Sequence, residues 1–87
     1  MWYTYFLKSK KQKNWIYVGS TNNLERRMSE HISGSSLSTK AYLPISLDAY
    51  IAVKSERQAR SLEKYLKAGS GKAILKKRIL TDEAHRR

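Results

Sequence analysis

Arg27 and His31 stand four residues apart, and Asn23 lies four residues before Arg27. On a helix these three share one face. An arginine fork suits phosphate oxygens, and histidine moves protons near neutral pH. A solvated helix face is the other reading of the same residues. Glu63 stands between Leu62 and Leu66 and is the acidic residue best placed for partial burial. A carboxylate at a core edge needs a cation, either Lys or Arg or a metal. Lys67, four residues on, is one such cation. A single carboxylate holds Mg²⁺ weakly, so water and a substrate phosphate must complete its shell. Tyr3, Tyr5 and Tyr17 have the spacing to line one face of a hairpin, although tyrosine is also an ordinary sheet residue.

Short elements must hold these groups. Residues 2–7 are mostly aromatic and β-branched and predict a strand; residues 15–19 predict a second. The seven polar residues between them, four of them lysines, predict a hairpin loop. Residues 20–23 offer several N-caps, and Leu24, Met28 and Ile32 recur as a helical stripe that Gly34 ends. A small-residue loop over 33–40 and Pro44 precede a third strand at 47–53. Ser55 and Gln58 form a capping box, followed by the buried stripe Ala59, Leu62 and Leu66, with Gly69 as terminator. Residues 71–80 predict a short third helix, with Ala73, Ile74, Ile79 and Leu80 for the core. The order β-β-α-β-α-α predicts an α+β fold, a small antiparallel three-stranded sheet flanked by about three helices. It forms one domain over 1–80, followed by a short polar tail at 81–87.

Eighty-seven residues make one modest core, with about 60% of the unfolded surface buried. The net charge is +11, and 11 of the 18 basic residues lie from residue 45 onward. A small domain so charged repels itself unless a polyanion is its partner. Nucleic acid leads. An anionic membrane surface is the rival, but the helices lack a broad apolar face opposite their lysines. The absence of cysteine removes disulfide scaffolds, cysteine nucleophiles and iron–sulfur clusters. No run approaches a transmembrane span and no leader is recognisable, which predicts a cytoplasmic or nucleoid location.

Taken in order, these residues resemble the GIY-YIG nuclease family. Tyr3-Thr4-Tyr5 is similar to its first motif, with Tyr5 in register and the glycine and isoleucine missing. Tyr17-Val18-Gly19 is similar to the second motif, and Arg27 follows Gly19 by eight positions, as in the family's helix with the catalytic arginine. Residues 62–67 resemble the helix that bears the metal-ligand glutamate. Ser38-Thr39-Lys40 and residues 69–73 resemble the small stand-alone bacterial branch. Ala41-Tyr42-Leu43 is apolar where the pattern has a basic stretch, and position 31 is His where many relatives have Tyr.

The resemblance implies a metal-dependent endonuclease that hydrolyses DNA phosphodiester bonds, structure-selective or weakly specific, in DNA repair or recombination. It implies Tyr5, Tyr17, Arg27, His31 and Glu63 as the catalytic set, with Glu63 holding Mg²⁺ or Mn²⁺. Arg27 would neutralise transition-state charge, and Tyr17 would activate or position water. A free phenol ionises near pH 10, so a nearby cation or His31 must assist, and His31 is relay or base. Tyr5 would orient water or phosphate. Lys40, Arg60, Lys67, Lys72 and Lys76 would contact nucleic acid, DNA in the first place and RNA as a second substrate. No small-molecule cofactor and no membrane is implied. The alternative is a domain of the same fold that binds nucleic acid without cutting it.

Overall fold

The computed structural model describes residues 1–79. Strands β1 (Trp2–Ser9), β2 (Ile16–Thr21) and β3 (Ile45–Val53) form one antiparallel sheet in the order β2-β1-β3. Helix α1 (Leu24–Ser33) and a 3-10 turn (Lys40–Tyr42) lie between β2 and β3. Helices α2 (Glu56–Leu66) and α3 (Gly69–Ile74) follow, the latter running into a π-helical turn (Leu75–Ile79). The architecture is the expected α+β one.

The central strand explains the layering. Thr4, Tyr5, Phe6 and Leu7 are all at most 1% exposed. Four consecutive buried residues require cover on both faces of β1, because side chains alternate. On one face Phe6 and Val18 pack with Leu66 of α2 and Leu75. On the other, Tyr5, Leu7 and Ile45 pack with Leu24 and Met28 of α1 and with Tyr17, Trp15 and Leu47. Each fully buried Phe or Leu contributes about 1.5–3 kcal/mol. The Thr4 hydroxyl donates to the Ala59 carbonyl at 2.8 Å and so ties β1 to α2. Helix α1 starts on Asn23, whose side chain accepts from Arg26 N, and ends at Gly34 with φ 85°. Helix α2 starts on the expected capping box of Ser55 and Gln58.

Several expectations are corrected. Strands run longer than the aromatic segments suggest, since β1 continues through Lys8 and Ser9 and β3 begins at Ile45. Ile32 is 58% exposed and leaves the α1 stripe. The buried position next to it belongs to His31, whose ring nitrogens both find partners in the core. Gly69 does not terminate α2. Lys67 caps that helix, and Gly69, with φ 41°, opens α3. In α3, Ala73 and Ile74 face outward while Gly71 and Leu75, four apart, face the core. The π-helical turn then shifts the phase. Leu80 and the tail at 81–87 lie outside the described residues.

Candidate active site

Strand register assembles the first part of the site. Tyr5 pairs with Gly19, and Leu7 with Tyr17, across β1 and β2. Tyr5, Tyr17 and Gly19 therefore share the face covered by α1. A Cβ on Gly19 would lie 2.5 Å from the Tyr5 hydroxyl and 3.0 Å from the Tyr17 ring. Only glycine lets the Tyr5 ring cross β2 here. Tyr3 leans instead on Tyr50, at 5.8 Å between ring centroids, and lies outside the group.

Helix α1 completes this face. Arg27 Nε donates to the Tyr5 hydroxyl at 3.3 Å, and Arg27 Nη1 to Glu30 Oε1 at 2.8 Å. His31, fully buried, lies with Nε2 2.9 Å from the Tyr5 hydroxyl and Nδ1 2.7 Å from Thr39 Oγ1. Arg27 can only donate, so the Tyr5 oxygen accepts from it. The His31 ring joins the Tyr5 and Thr39 hydroxyls through its two nitrogens, with donor and acceptor set by its tautomer. The result is a continuous hydrogen-bonded chain from Arg27 through Tyr5 and His31 to Thr39. The Tyr17 ring stands edge-on to His31, 5.3 Å between centroids, and takes part in none of these hydrogen bonds. Asn23 is spent on the helix cap and is not a site group.

Electrostatics fit this order. Burial pushes the Tyr5 phenol up to about 12 against the Arg27 hydrogen bond, with Tyr17 and Glu63 adding to the rise. Tyr5 is therefore protonated at neutral pH. Burial, then the Arg27 charge, lowers His31 below its usual 6.5, so the imidazole is neutral. The Glu30 hydrogen bond raises Arg27 further, and that pair lowers Glu30.

Glu63 lies on the other side of β2. Ser20 follows Gly19 on edge strand β2 and so points to the opposite face, where its hydroxyl donates to Glu63 Oε1 at 2.7 Å. Lys67 Nζ donates to Glu63 Oε2 at 2.8 Å. Burial alone would raise this carboxyl, but the Lys67 and Ser20 hydrogen bonds outweigh it and hold Glu63 below its usual 4.5. Among the described residues, no three His, Cys, Asp or Glu side chains gather as a metal cage. Glu63 offers one ionised, partly exposed carboxylate beside a hydroxyl, a hard-oxygen donor set that suits a divalent cation sharing water and phosphate.

The five catalytic candidates thus fall into two groups on either side of β2. Tyr5, Tyr17, Arg27 and His31 form one, and Glu63 the other. The basic candidates are more scattered. Lys40 is exposed on the 3-10 turn, and Arg60 is paired with Glu56 at 2.7 Å. Lys67 and Lys72 border a cleft of about 350 Å³ floored by Ile16, Val18, Leu66 and Leu75. Lys76 is exposed just beyond α3.

Residue spacing alone missed the supports. Trp15 stacks on Tyr42 at 4.5 Å and on Tyr17 at 6.1 Å, which braces Tyr17 and explains the apolar residues before Pro44. Trp15 precedes Tyr17 by two residues, the spacing of one strand face, and that signal was available. Thr39 and Ser20 carry no such signal, because their partners are distant in sequence.

Among the described residues, no helix is long and apolar enough to cross a membrane. No solved structure matches the chain. A UPF0213 protein of Clostridium perfringens (strain 13 / Type A) is 37% identical over 66 residues, covering 75% of this chain and 69% of that protein. The family model for the GIY-YIG catalytic domain matches residues 1–78, from the first strand to the π-helical turn. A match of that extent means that the chain belongs to the GIY-YIG catalytic domain family, a family of nucleases.

Proposed function

We propose that this protein is an endonuclease that uses a divalent cation, Mg²⁺ or Mn²⁺, to hydrolyse phosphodiester bonds of DNA. The observation that carries the reading is the Arg27 guanidinium, hydrogen-bonded to Tyr5 and backed by Glu30 in a family of nucleases. Glu63 would hold the cation, which when bound supplies Lewis-acid polarisation of the scissile phosphate. Arg27 faces the charge that grows on the phosphorus oxygens and lowers its energy there. Tyr17 orients the attacking water from the α1 side of β2. Tyr5 is hydrogen-bonded to His31 and holds the Arg27 fork, so both act as positioning residues in this reading, in place of a relay or base at position 31. Lys40, Lys72 and Lys76, with Arg60 and Lys67 along α2, contact the phosphate backbone. Such contacts set register and carry no sequence information, so binding is structure-selective or weakly specific. DNA is the first substrate class, and repair or recombination the proposed setting.

Cleavage of labelled duplex, branched and single-stranded DNA, and of RNA, tests this with Mg²⁺, Mn²⁺ and chelator. The expected outcome is metal-dependent cutting, reduced at least 10²-fold in Glu63→Gln and Arg27→Ala, with folding retained. Cutting by either variant at the wild-type rate overturns the assignment. Binding without cutting under every condition establishes the non-catalytic alternative.

A further inference from the structure

Four ion pairs join neighbouring side chains on α1 and α2 among the described residues. In three of them the carboxylate side chain keeps 40% or more of its exposure, and solvent weakens such pairs. Glu63 keeps 21%. It is also the one of these carboxylates with its second oxygen held by another element, through Ser20 on β2. The carboxylate is therefore fixed in orientation, with Oε1 tied to the strand and Oε2 turned to Lys67 at 2.8 Å. An ammonium at that distance competes for Oε2 with any divalent cation the carboxylate would hold.

We propose that the Lys67 ammonium occupies the cation seat of Glu63 and must be displaced before a divalent metal binds there. This rests on Glu63 being the metal ligand. Lys67 is half exposed and its stem lines the cleft that Lys72 also borders. The ammonium can thus leave Glu63 by rotation about its own stem and stay at the cleft rim beside Lys72. Two lysines above an apolar floor attract the phosphate of a bound strand. Phosphate draws Lys67 off the carboxylate and leaves Glu63 Oε2 open to a divalent cation. Metal and nucleic acid then favour each other's binding, and by linkage the coupling is equal in both directions. Lys67 is a positioning residue in this scheme. It suppresses metal uptake by the free protein and keeps Glu63 ionised and aimed.

Mn²⁺ binding to the full chain without DNA, followed by the electron paramagnetic resonance of free Mn²⁺, tests this without reference to activity. Glu63→Gln should lose the site. Lys67→Met, which keeps the stem and removes the charge, should bind Mn²⁺ about fivefold more tightly, the range of a partly exposed ion pair. Lys67→Arg, which keeps a cation, should bind about as wild type does. Unchanged or weaker binding in Lys67→Met, with the site lost in Glu63→Gln, overturns the competitor role and leaves Glu63 as the ligand. So does Lys67→Arg binding as tightly as Lys67→Met. Unaltered binding in Glu63→Gln overturns the metal assignment itself, and this proposal with it.

Discussion

His31 is a core residue because of where its two nitrogens point. A buried imidazole with an unpaired nitrogen costs roughly 1–3 kcal/mol, and Tyr5 and Thr39 remove that penalty. The fold also disfavours its protonation, since burial and Arg27 lower its pKa. The unfolded chain takes up a proton near 6.5 that the folded chain refuses. Stability should therefore be level above about pH 6.5 in respect of this group and decline as pH falls below it. Glu63 and Glu30, held below their usual 4.5, act in the same direction in a separate, more acidic window. Thermal melts across about pH 4.5–7.5 check this, and His31→Asn should flatten the upper part of the curve. Thr39→Val removes the hydrogen-bond partner of His31 Nδ1. It should lower the melting temperature, at a cost of about 1–2 kcal/mol, and change the ¹⁵N signature of the His31 tautomer. Retention of the wild-type tautomer signature would remove Thr39 from the chain of hydrogen bonds.

At the scale of elements, β2 organises the site because it is an edge strand whose successive residues serve opposite faces. Gly19 admits Tyr5 on the α1 side, and Ser20 holds Glu63 on the α2 side. Gly19→Ala should displace the Tyr5 ring, cost about 1–3 kcal/mol by overpacking, and reduce cleavage more than a core change of equal cost elsewhere. Paired melting and cleavage measurements on Gly19→Ala and on Ile51→Val separate the two effects. The helices supply direction in a simpler way. Asn23 starts α1 one residue before Leu24, which sets the phase that turns Arg27 and His31 to the sheet. The capping box does the same for Glu63 on α2. These starts were legible in the sequence, because caps are local chemistry. The phase of the α1 stripe was not. Leu24, Met28 and Ile32 read as well as Leu24, Met28 and His31 until the partners of His31 are known.

At the scale of the whole molecule, the +11 charge acts as a field and the individual lysines matter less than their sum. Lys40, Lys72 and Lys76 are exposed, and Arg57 and Lys64 extend the basic surface of α2. About four phosphate contacts give a slope near −4 in log affinity against log salt for duplex DNA. Lys72→Ala should reduce that slope by about 1, measured by fluorescence anisotropy over a salt series. A slope near zero would sever the charge from nucleic-acid binding.

The order of elements, the helix starts, the apolar first strand and the types of the catalytic candidates were all determined by the sequence alone, through periodicity, local hydrogen bonding and the family motifs. Only the tertiary structure decided which candidates meet. Strand pairing set Tyr5 against Gly19, helix phase brought His31 under Tyr5, and sheet order left β2 at the edge so that Ser20 could hold Glu63. The Arg27–Tyr5–His31–Thr39 chain of hydrogen bonds was also beyond the sequence. It joins residues up to 26 positions apart. Local interactions are written in neighbouring residues, whereas long-range contacts exist only once the two faces of the sheet are closed.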